Sequence, residues 1–132
     1  MGEPAWFSLA EALAVHDAQI ARFGGSAGVR DQGLLESALA RPQNLWSYGD
    51  PAPDFAALAA CYAFGIIKNH PFLDGNKRVG YVLCRVFLLK NGWNLLASQE
   101  EKYRTFYAVA SGEMAEEELA VWLRSHTAQE ES

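Results

Sequence analysis

Residues 54–91 read DFAALAACYAFGIIKNHPFLDGNKRVGYVLCRVFLLKN, and this stretch decides the fold. From Asp54 to Lys68, the residues Phe55, Leu58, Ala59, Tyr62, Ala63, Ile66 and Ile67 leave little polar surface at helical spacing, which predicts a helix through the middle of a bundle. Small residues such as Ala60 and Gly65 permit close helix packing. A further apolar helix is predicted from about Asn76 to Lys90, closing at Asn91-Gly92, where glycine supplies the left-handed backbone that ends helices.

Outward from this pair the signals remain helical. Ser8 and Glu11 have capping-box spacing, and Leu9, Leu13, His16, Ile20 and Phe23 then recur along one face until Gly24 and Gly25. Asp31 caps a short helix carrying Leu34, Leu35, Ala38 and Leu39, which Pro42 is expected to end because it lacks an amide hydrogen. Residues 43–53 then read as an irregular loop. Ser98 and Glu101 make a second capping box for a helix ending at Gly112, and Glu116, Glu117 and Glu118 open a last helix with Leu119, Val121, Trp122 and Leu123. The expectation is an all-α, compact, single-domain bundle of about six helices over residues 1–126, with 127–132 a disordered tail and strands at most in short loop pairs.

Composition restricts the function classes. The chain has 132 residues, half of them apolar, and a net charge of -5, with its basic residues scattered, so direct nucleic-acid binding is not expected. Cys61 and Cys84 lie in apolar runs without CxxC spacing and read as buried thiols, which favours a reducing, cytoplasmic location. Neither a signal peptide nor a membrane span is expected, since no apolar run approaches about eighteen residues.

The chemistry concentrates between the two apolar helices. His70 to Arg78 packs a histidine, a carboxylate, a glycine, an amide and two cations into nine residues. A helix opening at Gly75-Asn76 leaves amide hydrogens without intrahelical partners beside the positive end of the dipole, a site suited to phosphate. Asp74 has a plainer reading as the N-cap of that helix. Lys77 and Arg78 oppose the dipole there, a destabilising placement that makes sense where an anion is to be bound. Pro71 and Phe72 flank His70 and would hold its imidazole in place.

The run His70-Pro71-Phe72-Leu73-Asp74-Gly75-Asn76-Lys77-Arg78 resembles the Fic-domain motif HxFx(D/E)GNxR, in the form seen in the death-on-curing, or Doc, branch of the Fic/Doc family. Similarity extends to 16–20, 22–25, 28–31 and 34–36 and to Leu88 to Gly92, nearly the whole chain. The resemblance implies the Fic/Doc fold and a toxin of a type II toxin-antitoxin system. It makes His70 the general base that takes the proton of a target hydroxyl, and Asp74 the ligand of Mg²⁺ on the phosphates of ATP. Gly75, Asn76, Lys77 and Arg78 become the phosphate contacts, with Arg78 able to bind two oxygens at once.

Two departures from the commoner pattern bear on the reaction. Lys77 replaces a glycine, and Tyr81 stands where a second arginine is common. Both alter how a triphosphate lies, and the Doc branch, which shares the lysine, is associated with phosphorylation. The expected activity is therefore Ser/Thr phosphotransfer from ATP to a protein, elongation factor Tu by resemblance, arresting translation. Transfer of AMP is the enzymatic alternative, and a catalytically silent antitoxin-binding module the alternative from another class. A metal-dependent hydrolase is disfavoured, because one histidine and one carboxylate fall short of a typical zinc site.

Beyond the motif, Arg22 and Lys68 match basic positions near the phosphates, against the plainer reading of surface cations at helix ends. His16 reads as a core histidine. Trp46 and Tyr48 either form a flap that docks a target or pack their loop onto the bundle. The family's inhibitory pattern (S/T)xxxE(G/N) is not found, since Ser132 follows Glu131. Inhibition is expected instead from a Phd-like antitoxin whose terminal segment folds into a groove between helices.

Overall fold

A computed structural model describes residues 2–130. Among them six helices and one small sheet follow in the order α1 (Leu9–Phe23), α2 (Gln32–Tyr48), α3 (Phe55–Asn69), α4 (Asn76–Lys90), β1 (Trp93–Leu95), α5 (Gln99–Ser111), α6 (Glu116–Ser125) and β2 (Thr127–Gln129). Local chemistry starts most of the helices where the sequence places them. Ser8 and Ser98 close capping boxes with Glu11 and Glu101, while the Asp31 and Asp54 carboxylates accept from the Leu34 and Ala57 amides.

The central helix is α3, buried along its length from Leu58 to Ile67 and packed by α2, α4 and α6. Its fully buried leucine and isoleucine side chains each contribute roughly 1.5–3 kcal/mol by leaving water. Gly65 sets the α2–α3 spacing, because a Cβ there would stand 3.1 Å from that of Ala38. Tyr62, with no exposed surface, accepts the Phe7 N–H on its hydroxyl at 3.1 Å, and so ties the N-terminal segment to the core. Both cysteines are buried and free, and burial pushes the Cys61 thiol up to about 12. No helix among the described residues is long and apolar enough to cross a membrane.

The structure differs from the sequence reading in two places. Pro42 lies inside α2 instead of ending it, so residues 43–48 are helical and only 49–54 remain irregular. A proline within a helix costs about 3 kcal/mol, and tertiary contacts offset it here. Pro42 itself is buried, Leu45 and Trp46 pack against the core, Trp46 meets Trp6 edge-on with centroids 6.2 Å apart, and Arg41 pairs with Glu116 at 2.6 Å. Of the two readings for this aromatic pair, packing holds for Trp46, while Tyr48 is exposed. The second difference is the expected tail. Thr127–Gln129 pair antiparallel with β1 in the register Leu95↔Thr127, with the Leu96 amide donating to the His126 carbonyl at 2.6 Å. The Glu130 amide donates to the Gly92 carbonyl at 2.7 Å, and residues 131 and 132 lie outside the described residues.

Candidate active site

The segment between α3 and α4 is held by three separate devices. His70 caps α3 in the left-handed conformation (φ 49°, ψ 54°), which costs a non-glycine residue roughly 1–2 kcal/mol. Arg30 offsets that strain by donating from Nε to the His70 carbonyl at 2.7 Å and from Nη2 to the Asn69 carbonyl at 2.8 Å. The backbone of residues 28–31 pairs with the segment as well. Val29 bridges Phe72 antiparallel, Leu73 donates to the Gly28 carbonyl, and the Arg30 and Asp31 amides both donate to the Pro71 carbonyl.

Beneath the segment, Phe72 is buried and stacks on the imidazole of His16, with centroids 4.0 Å apart and the rings 4° from parallel. His16 is itself buried, as read from the sequence. Its Nε2 donates to the Asp74 carbonyl at 2.9 Å, so it also anchors the segment. The third device is Asn76. Its Oδ1 accepts the Phe72 N–H at 3.0 Å, and its Nδ2 donates to the Phe72 carbonyl at 3.0 Å and to Nδ1 of His70 at 3.1 Å. The bond to the Phe72 N–H fixes which end of the amide faces His70, so the neutral imidazole carries its proton on Nε2.

His70, Leu73, Asp74, Gly75, Asn76, Lys77 and Arg78 line one open pocket of about 350 Å³. Gly75, at φ 81°, is the N-cap of α4, and no side chain caps this helix, so the plainer reading of Asp74 as its N-cap is set aside. The Asp74 carboxylate instead accepts the Gly75 N–H at 2.8 Å and the Ser26 N–H at 3.2 Å. Gly25 makes that approach possible, since a Cβ there would lie 2.6 Å from Asp74 Oδ2. The four expected phosphate contacts of the motif thus meet: Gly75, Asn76, Lys77 and Arg78 come together with His70 and Asp74, but the Asn76 side chain is committed to the segment and only its main-chain N–H is left for an anion.

Arg22 lines an adjoining groove together with Arg78, and both guanidinium groups lie over the Phe23 ring, at 5.1 and 4.2 Å. Lys68 is not brought to the site, for its ammonium donates to the Val109 carbonyl at 3.4 Å and lies near the Phe64 ring. Sequence reasoning missed the positioning role of Arg30. Its contacts to Asn69 and His70 span about forty residues, and no local pattern signals them.

Asp74 can take a divalent cation. It is exposed in the pocket, and each oxygen keeps acceptor capacity beyond its one amide bond. No group of three or more His, Cys, Asp or Glu among the described residues could hold a metal alone. The donor set therefore fits an ion bound through one carboxylate, water and substrate phosphates, as magnesium is.

Residues 6–88 match the model of the Fic/DOC family. The chain is 34% identical over 114 residues, 86% of its length and 89% of the other's, to "Protein kinase doc" of Escherichia phage P1. It is 41% identical over 75 residues, 57% of its length and 58% of the other's, to "Toxin Doc" of Mycolicibacterium smegmatis.

Proposed function

The chain belongs to the Fic/DOC family as a Doc-type member, and from that premise we propose that it is a toxin that transfers the γ-phosphoryl group of ATP to a Ser or Thr hydroxyl of a target protein. The observation that carries this reading is the meeting of His70, Asp74 and the uncapped start of α4 in one pocket. The amides of the first turn and the Arg78 guanidinium would attract an anion, and the dipole adds to that attraction. Mg²⁺, held by Asp74, would neutralise charge on the phosphates.

In the reaction the target oxygen bonds to the γ-phosphorus, the bond from that phosphorus to the bridging oxygen breaks, and ADP leaves with the electron pair. The hydroxyl proton passes to His70. With Asn76 donating to Nδ1, the ring has no free lone pair, so the base must either exchange the Asn76 amide for the target hydroxyl or shift its proton from Nε2 to Nδ1. The substitution of Lys77 for glycine and of Tyr81 for arginine supports a triphosphate pose other than that of AMP transfer.

Elongation factor Tu is the target we propose, translation arrest the consequence, and a Phd-like antitoxin the inhibitor. Incubation of a bacterial lysate with ATP labelled at the γ- or the α-phosphorus tests the reading. Label from the γ position alone is expected, dependent on magnesium and absent with His70→Ala. Label from the α position would replace it with AMP transfer, and toxicity without either label would leave a binding module.

A further inference from the structure

Phe23 is the last residue of α1, and 54% of its surface stays exposed although it continues the apolar spacing of that helix. Its ring is nonetheless occupied. The Arg78 guanidinium lies over it at 4.2 Å from the centroid and that of Arg22 at 5.1 Å, so α4 and α1 each send a cation to one ring. The backbone here is fixed. The Gly24 amide donates to the Ile20 carbonyl at 2.8 Å, and Gly24 and Gly25, at φ 82° and 115°, turn the chain toward Asp74, whose carboxylate accepts the Ser26 N–H at 3.2 Å. The stretch that holds the Asp74 carboxylate therefore also presents the Phe23 ring to Arg78.

Charge pairing sets these two arginines apart. With 16 acidic residues against 11 basic ones, carboxylate partners are plentiful, and Arg41, Lys90, Arg104 and Arg124 each have one. Among the described residues neither Arg22 nor Arg78 does. The groove they line with Phe23 also holds Arg85 and Lys102 and no acidic side chain. A carboxylate would restrain a guanidinium, but it would also take its N–H donors and cancel the charge that a phosphate needs. An aromatic ring attracts the cation through its quadrupole and accepts none of the in-plane N–H bonds, so all five donors stay available.

We propose that Phe23 is a positioning residue of the phosphate site, whose ring gathers the Arg22 and Arg78 guanidinium groups and directs them without neutralising either. The inference rests on the reading of the chain as an ATP-dependent transferase and deepens it. Arg78 also lines the pocket of His70 and Asp74, so a rotamer restrained by the ring is restrained at the phosphates. The ring also brings a second arginine to the groove of Arg78 from α1, although Tyr81 and not an arginine stands one turn further along α4.

The test compares the full chain with Phe23→Leu, which keeps an apolar side chain but has no aromatic face, and with Phe23→Tyr, which keeps the face. Calorimetry with inorganic tripolyphosphate and Mg²⁺ is expected to show binding weakened about tenfold by Phe23→Leu and restored by Phe23→Tyr. Unchanged affinity with Phe23→Leu, or equal loss with both, overturns the inference. Proton NMR of the parent gives a second measurement free of substitution. The ring current should shift the Arg78 side-chain protons upfield, and shifts at their unperturbed positions overturn the inference whatever the variants do. Failure of the parent to bind tripolyphosphate at all would end both this inference and the transferase reading. Binding that depends on Phe23 in a chain that transfers no phosphoryl group would end only the transferase reading, and transfer at the parental rate with Phe23→Leu would end only the inference.

Discussion

Asn76 donates its side-chain amide to Nδ1 of His70 across 3.1 Å, and the same amide is clamped at both ends by the backbone of Phe72. The ring and the loop that carries it are therefore one hydrogen-bonded unit, in which the amide sets the tautomer. In the unliganded chain at alkaline pH, where the ring is neutral, nitrogen NMR should show His70 with its proton on Nε2 and Nδ1 as an acceptor. Asn76→Ala should abolish that preference. A ring protonated on Nδ1 in the parent would contradict the arrangement.

His70 occupies a backbone conformation that favours glycine. Two substitutions should therefore separate its chemical from its conformational role. His70→Ala and His70→Gly are both expected to lose phosphoryl transfer, with ATP binding kept, yet the glycine variant should be the more stable by about 1 kcal/mol because it relieves left-handed strain. Thermal unfolding reads the difference. Equal stability of the two would mean that the strain is absent.

Arg30 touches no expected phosphate contact, and its role is to hold the carbonyls of Asn69 and His70. Arg30→Ala should lower kcat on the order of a hundredfold through misplacement of the imidazole. The KM for ATP should change little, and Arg30→Lys should restore only part of the rate, since a single ammonium cannot reproduce the two-pronged contact. A rise in KM with kcat unchanged would show instead that Arg30 serves nucleotide binding.

Acid should weaken the hold on the first helix. The Ser8 backbone, and then Lys90, hold the Glu11 carboxyl down to about 2. A carboxyl lowered on folding contributes stability above its unfolded value, about 4.3, and that contribution fades as pH falls toward the lowered one. The same sign applies to Asp54, lowered chiefly by the Arg124 guanidinium at 2.6 and 3.0 Å. Glu11 is exposed, so the effect is modest. Thermal midpoints of the parent should fall between about pH 4.3 and 2, and those of Glu11→Gln should fall less steeply. Parallel curves would refute the coupling.

The legible parts of this chain are those whose signals are local. Ser8-Glu11, Ser98-Glu101, Asp54 and the apolar faces of α3 and α4 each fix an element through contacts within a few residues. The motif placed His70, Asp74, Gly75 and Arg78 in one pocket because they lie within nine residues, between the end of α3 and the first turn of α4. Pro42 misled, since the cost of a proline is local while the packing of Leu45 and Trp46 that offsets it is not. β2 was invisible because three residues carry no alternation to read and their partner, β1, lies more than thirty positions away. The parts of the site supplied at a distance, Arg30, the Val29–Phe72 bridge and the His16 bond to Asp74, depend on the fold having formed. The resemblance named the phosphate contacts, but it could not show that the Asn76 side chain is held by Phe72 or that Lys68 turns toward Val109.

In the proposed reaction the γ-phosphorus of ATP is the atom attacked at His70. Purified elongation factor Tu, incubated with the chain, ATP and Mg²⁺ and then weighed by mass spectrometry, tests it most directly. The target is expected to gain a single phosphoryl group with ADP appearing in equal amount, and His70→Ala to yield neither. A target heavier by a whole AMP, with pyrophosphate released, would contradict it.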